Sequence, residues 1–283
     1  MPISIVDNQP LHYLDEGQGF PIVLAHCYLW HSGMWRPQIE ALSQHYRVIA
    51  PDLWGHGGSG SLPPATTDLQ SLARNMLQLL DNLGIGSFSM VGHSIGALWG
   101  TELTLLVPAR VKTLVIMDAC LGVEPVGSRA RYWSLLDQIE TAGKFPEPLL
   151  EAIVPLFFNP YDDIASPLRT ELHDALATTP AERVLQSIVP LGRMMFDRKD
   201  VGERLRLLNR KRTLFLTGVA DIPRPPTDLQ ELADKIGCPF VSIPNAGHLS
   251  TLENPDFVNQ ALLEFLAPPR TNYLNFIQRL IHA

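Results

Sequence analysis

The stretch Phe88-Ser89-Met90-Val91-Gly92-His93-Ser94-Ile95-Gly96 decides how the rest of this chain is read. Phe88 to Val91 is a short apolar run of strand character, and Ile95 to Val107 has helical composition up to Pro108. Between them Gly92 and Gly96 flank a serine, which is what a sharp strand-to-helix turn needs to expose a strained central residue. A helix opening at Ile95 aims its first N–H groups and its positive dipole end at that serine. An oxyanion developing there would meet oriented donors. G-x-S-x-G is a short pattern, so its surroundings have to carry the argument.

Working upstream, Ile3 to Val6 and Leu11 to Leu14 read as two short strands joined through a turn at Asn8-Gln9-Pro10. Ile22-Val23-Leu24-Ala25 reads as a strand buried on both faces. Met34 to His45 has helical spacing, Tyr46 to Ala50 is the next strand, and Asp68 to Leu83 places Leu69, Leu72, Met76, Leu79, Leu80 and Leu83 on one helical stripe before Gly84. Downstream, Val111 to Met117 is another branched strand. From Leu121 to about Asn209 the alternation stops, and amphipathic segments such as Tyr132-Leu136-Ile139 and Leu149 to Phe158 replace it. Alternation resumes with Thr213 to Thr217, a helix near Asp228 to Ile236, Phe240 to Ile243, and a helix from Asn254 or Pro255 to Leu266. The pattern predicts an α/β chain with a mostly parallel central sheet flanked by helices. Residues 1–120 and 210–283 form one core, and residues 121–209 form an inserted helical cap. The tail from Arg270 to Ala283 has apolar residues at the spacing of a final helix.

A serine hydroxyl needs a base to attack at neutral pH, and the base needs a carboxylate to hold its tautomer and stabilise its charged form. His248, in Asn245-Ala246-Gly247-His248-Leu249, follows the last strand and precedes the last helix, on the carboxyl edge of the sheet. Asp221, in Gly218-Val219-Ala220-Asp221, follows the Thr213 to Thr217 strand and is the leading acid. Asp118, at the end of the Val111 to Met117 strand, is the other candidate. Asp52 reads as a turn residue.

These segments together, with Val23-Leu24-Ala25-His26 and Pro51-Asp52-Leu53-Trp54-Gly55-His56-Gly57-Gly58-Ser59-Gly60, resemble the α/β-hydrolase fold superfamily of the cap-bearing serine esterase and lactonase type. The resemblance spans nearly the whole length, and the order Ser, Asp, His is the family's. It implies Ser94 as nucleophile, His248 as base and then acid, Asp221 as the orienting carboxylate, and an oxyanion hole from the backbone N–H groups of Ile95 and Tyr28. Two positions depart from the usual pattern. Cys27 stands where a glycine is usual, which leaves Cys27 and Leu29 as alternatives to Tyr28, and Trp54 stands where many relatives carry Arg. His26 and His56 are expected to hold turns, and His93 to line the elbow without chemistry.

The substrate expected is a small or medium apolar carboxylic ester or lactone, in a pocket drawn from Trp30, Met34, Trp133, Phe157 and Phe158. A serine at the elbow argues against epoxide hydrolase or dehalogenase chemistry. Carbon–carbon bond hydrolysis on the same triad, and a ligand receptor with little turnover, are the competing readings. The remaining expectations are exclusions. With 22 Lys+Arg against 29 Asp+Glu the 283-residue chain has a net charge of −7, so no basic field favours nucleic acid. Cys27, Cys120 and Cys238 form no C-x-x-C pair, and no ligand set accompanies His26 and His31, so no metal is expected. No phosphate-binding loop or other cofactor signature follows the first strands. No secretory leader or membrane span is visible, which makes a cytoplasmic location the default.

Overall fold

The computed structural model describes residues 2–161 and 167–267. Eight strands form one sheet: β1 (Ile3–Val6), β2 (Gln9–Glu16), β3 (Pro21–Ala25), β4 (Arg47–Pro51), β5 (Phe88–His93), β6 (Val111–Met117), β7 (Thr213–Gly218) and β8 (Phe240–Ile243). Their spatial order is β1-β2-β4-β3-β5-β6-β7-β8. The β1–β2 and β2–β4 pairs are antiparallel and the others parallel. Every residue of β5 and β7 is buried, the mark of parallel strands covered on both faces.

The covering helices are α1 (Arg36–Leu42), α2 (Leu69–Asn82), α3 (Ile95–Leu106), α4 (Val126–Ala142), α5 (Glu147–Ile153), α6 (Pro167–Ala177), α7 (Ala181–Arg183), α8 (Val189–Phe196), α9 (Pro226–Ile236), α10 (Ser250–Glu253) and α11 (Pro255–Leu266). Helices α4 to α8, with a π-helical turn at Val184–Ile188 between the last two, lie in the long connection from β6 to β7. They are an insertion of helices into a chain that from β3 onward otherwise alternates strand and helix. Helix α2 starts on a reciprocal cap: Asp68 accepts from the Ser71 N–H at 2.7 Å, and Ser71 Oγ accepts from the Asp68 N–H at 2.9 Å. It ends before Gly84 at φ 67°. Helix α3 is buried from Ile95 through Leu103 because the sheet covers one side and α2 the other.

Two local readings of the sequence are corrected. The first hairpin turns at Asp7-Asn8, both with positive φ (48° and 61°), while Gln9 and Pro10 already belong to β2. The register Val6 to Gln9 leaves a two-residue loop, and its left-handed geometry matches strand twist. Pro10 is tolerated because pairing of β2 to β4 begins only at Tyr13. The helix expected over Met34 to His45 is a 3-10 turn, Ser32–Trp35, followed by the shorter α1, whose first turn accommodates Pro37. The expected final helix within Arg270 to Ala283 lies outside the described residues.

Strand order fixes where a site can form. The chain passes from β3 to β4 on one side, then returns to place β5 on the other, so the order reverses at β3. Ligands of open α/β sheets bind outside the carboxyl ends of strands at such a reversal. Here that point is the mouth between the loop after Ala25 and the turn after His93. The register sets Ala25 beside Gly92, His93 beside Met117, Met117 beside Leu216 and Gly218 beside Ile243. The segments carrying Tyr28, Ser94, Asp118, Asp221 and His248 therefore all leave the sheet at one edge.

Candidate active site

Ser94 caps α3 with φ 55° and ψ −119°, a conformation a side chain adopts only under constraint. The constraint is visible on both sides. Its N–H donates to Met117 O at 2.9 Å, and its carbonyl accepts from Ala97 and Leu98 at 2.9 and 3.1 Å. The turn closes only because its flanks lack side chains. A Cβ on Gly96 would lie 2.3 Å from the Ala25 carbonyl oxygen, and one on Gly92 would lie 2.4 Å from the Gly96 carbonyl oxygen.

His248 lies in the loop after β8 and is buried. Its Nδ1–H donates to Asp221 Oδ2 at 2.9 Å, so the lone pair sits on Nε2. Burial, reinforced by the neighbouring His93, pushes the imidazole down to about 3, and the ring is neutral at physiological pH. The edges of His93 and Phe157 pack against it at 5.2 and 5.7 Å between centroids. The Leu249 N–H donates to Phe157 O at 2.9 Å and ties this loop to the insertion.

Asp221 closes a turn in which its Oδ1 accepts the Arg224 N–H at 2.9 Å. Burial and the charge of Asp118 raise its carboxyl well above the usual carboxylate range. The acid and histidine loops touch backbone to backbone: a Cβ on Gly218 would lie 2.2 Å from Gly247 O. Asp118, the other acid the sequence allowed, does not reach His248 by a hydrogen bond. It accepts from Gly218 N–H at 2.8 Å, Thr217 Oγ1 at 3.3 Å and Ser250 Oγ at 2.6 Å, and stands 3.2 Å from His93 Nε2. Its carboxylate braces the strand ends.

The loop after β3 leaves the Tyr28 amide unbonded while its neighbours are engaged. The Cys27 N–H points to Met34 Sδ at 3.5 Å, the Leu29 N–H donates to His56 Nε2 at 3.2 Å, and the Trp30 N–H donates to Cys27 O at 3.4 Å. Tyr28 N–H has no such partner among the described residues, and Tyr28 lines the cavity beside Ser94. Ile95 N–H lies in the first turn of α3, where no intrahelical acceptor exists. The left-handed residue in this loop is Leu29, at φ 66°, so Cys27 meets no demand for glycine and its thiol packs into the core. His26 and His56 hold the loop in place. His26 donates Nδ1–H to Cys27 O at 2.7 Å and accepts from Leu53 N–H at 2.8 Å, and His56 donates to Trp54 O at 2.9 Å. Burial keeps both neutral, at about 3 and about 4. Asp52 is buried and organises its turn through Ser32 N–H, Gly58 N–H and the His12 ring.

Ser94 and His248 line one cavity of about 90 Å³, together with Tyr28. The structure joins His248 to Asp221 by a hydrogen bond, and Ser94 to His248 by the shared cavity wall. The rest of the wall is largely apolar, with Leu29, Leu136, Ile139, Phe145, Phe157 and Phe196 among its residues. Of the five expected pocket residues only Phe157 lines it. Trp30 stacks on His31, and Met34 is fully buried beneath the loop. Trp133 lies under the Arg193 guanidinium, 4.6 Å from its ring centroid, and faces a second groove. Phe158 is buried beneath Arg169. The reason is angular: on α4 the side chains of Tyr132, Leu135, Leu136 and Ile139 share the cavity face, and Trp133 points elsewhere. That stripe was visible as helical spacing. Nothing in the sequence marked Arg224, which also lines the cavity.

No group of three or more His, Cys, Asp or Glu among the described residues could hold a metal ion, and no helix among them is long and apolar enough to cross a membrane.

The chain is 31% identical over 278 residues to the protein named "Putative carbamate hydrolase RutD" of Caulobacter vibrioides, covering 94% of this chain and 98% of that one. It is 27% identical over 224 residues to 3-oxoadipate enol-lactonase 1 of Acinetobacter baylyi, covering 79% and 80% of the two chains. A thermophilic esterase from Thermogutta terrifontis superposes with a TM-score of 0.81 at 26% identity, over 91% of this chain and 93% of that one. Residues 22–261 match the family described as Alpha/beta hydrolase family. With the strand order, the serine turn and the sequence match in agreement, the chain belongs to the alpha/beta hydrolase family.

Proposed function

We propose that the protein is a serine hydrolase that cleaves small or medium carboxylic esters or lactones through an acyl-enzyme. Ser94 Oγ attacks the carbonyl carbon while His248 Nε2 accepts its proton. The tetrahedral oxyanion is held by the N–H groups of Tyr28 and Ile95. Collapse expels the alcohol, which takes the proton from His248. Water, deprotonated by the same nitrogen, then releases the acid and restores Ser94. Asp221 fixes the Nδ1–H tautomer throughout. The observation that carries this reading is the convergence on one cavity of a constrained serine and a neutral histidine whose far nitrogen is already bonded to a carboxylate. The similarity to an esterase and to an enol-lactonase supports the same bond class.

Turnover of a panel of esters, lactones, carbamates and amides by wild type beside Ser94→Ala tests it. The expected result is ester or lactone turnover with an initial burst of released alcohol, lost in Ser94→Ala. Faster carbamate or amide cleavage would replace the ester reading. Labelling of Ser94 without turnover of any substrate would favour a receptor.

A further inference from the structure

Arg224 is the one Lys or Arg side chain among the described residues lining the cavity of Ser94 and His248. Its guanidinium is held rigidly. Nη1 and Nη2 donate to Glu124 Oε1 and Oε2, each at 2.9 Å. Glu124 Oε2 also accepts from Arg198 Nη1 at 2.8 Å. Arg198 is itself fixed through Gly122 O at 2.7 Å and Met195 O at 2.9 Å. The side chains of Glu124 and Arg198 are 1% exposed and that of Arg224 12%.

A bidentate ion pair uses two of the five N–H donors of a guanidinium, so Arg224 keeps donors that Glu124 does not use. Two arginines share one glutamate, and the cluster carries an unbalanced positive charge. Asp221 and Asp118 are the other carboxylates nearby, and neither accepts from the Arg224 guanidinium: Asp221 is engaged by His248 and the Arg224 amide, and Asp118 by Gly218, Thr217 and Ser250. Burying such a cluster costs free energy that an apolar side chain at position 224 would avoid. In a pocket built only for apolar acyl groups that cost has no return. A ligand carboxylate would supply the missing anion and meet a preorganised fork.

Resting on the serine-hydrolase reading above, we infer that Arg224 determines specificity and that the substrate carries a carboxylate besides the scissile bond. Half-esters of short dicarboxylic acids, and lactones with a pendant carboxylate, are of this kind. The acid loop then has two functions: its aspartate orients the base, and its arginine, three residues on, anchors the substrate.

The test compares an aryl half-ester of glutaric acid with the aryl ester of pentanoic acid, on wild type and on Arg224→Gln. A charge-assisted contact predicts that wild type prefers the charged ester by about tenfold or more in kcat/KM, and that the charged-to-neutral ratio falls by about 10- to 100-fold in the variant. Equal loss on both esters would reduce Arg224 to a brace of the loop and overturn the inference, as would a wild-type preference for the neutral ester. A binding arm uses free glutarate against glutaramide. Glutarate is expected to raise the melting temperature of wild type, glutaramide to leave it unchanged, and the difference to vanish in Arg224→Gln. If the variant does not fold, the wild-type comparisons decide alone, and equal response to glutarate and glutaramide overturns the inference. Glutarate binding through Arg224 with neither ester turned over would refute the hydrolase reading and leave the carboxylate site standing. Turnover without charge discrimination would do the reverse.

Discussion

Ser94 keeps its hydroxyl in the cavity by holding a backbone conformation that costs about 1–3 kcal/mol. Two consequences can be measured at this residue. Ser94→Ala keeps the strained turn and Ser94→Gly relaxes it, so the glycine variant should melt above the alanine variant although both lose turnover. A lower melting temperature for Ser94→Gly would mean that the turn is unstrained. Asp221→Asn removes the carboxylate that selects the Nδ1–H tautomer of His248, and kcat should fall by about three to four orders of magnitude with the fold intact by circular dichroism. The proposed base, His248, is neutral because burial lowers its pKa to about 3. Only the neutral ring can accept the serine proton, and activity is lost as pH falls through the base's pKa. The acid limb of kcat/KM should therefore lie below the ordinary imidazole value of about 6.5. A limb at or above 6.5 would show that substrate meets a solvated imidazole.

Elements place these residues by contact, and one contact joins the loop after β3 to the insertion. Tyr28 Oη donates to Ile188 O at 2.6 Å, at the end of the π-helical turn, and Gly192 leaves the phenol its space, since a Cβ there would lie 2.6 Å from the hydroxyl. Tyr28→Phe removes that bond while keeping the ring. It should lower unfolding free energy by about 1 kcal/mol and kcat several-fold, because the proposed oxyanion amide belongs to the same residue. An unchanged kcat would uncouple the insertion from the oxyanion loop. This is also the scale at which sequence reading succeeds and fails. The buried parallel strands were legible because Ile22 to Ala25 and Val111 to Met117 are branched apolar runs between breakers, and their order places Ser94, Asp221 and His248 on one edge. The cavity wall was not. Whether Trp133 or Tyr132 faces the serine depends on the rotation of α4 over the sheet, which local spacing does not encode. Arg224 looked like any other charged loop residue, since its value comes from Glu124, a hundred positions away. The hairpin turn was read at Asn8-Gln9-Pro10 instead of Asp7-Asn8 because Pro10 resembles a turn former where the register makes it a strand residue.

Over the whole molecule, three of the described histidines are held neutral by burial: His26 at about 3, His56 at about 4 and His248 at about 3. In the unfolded chain each takes a proton near pH 6.5, while the folded chain refuses it until far lower pH. The unfolded state therefore binds more protons below 6.5. Stability present above that pH is lost as pH falls, by up to about 1.4 kcal/mol per pH unit for each ring. Asp221, whose carboxyl is raised, acts in the opposite sense and offsets part of the loss. The melting temperature should drop between pH 6.5 and 5, and a flat profile would contradict the neutral burial of these rings. The central claim, that Ser94 is the nucleophile, meets its most direct test in the intact mass of the protein after treatment with an aryl-alkyl fluorophosphonate. We predict one adduct per chain, mapped to the peptide containing Ser94, with activity lost in proportion to labelling. No adduct on a protein that turns over esters, or an adduct on another residue while Ser94→Ala stays active, would contradict it.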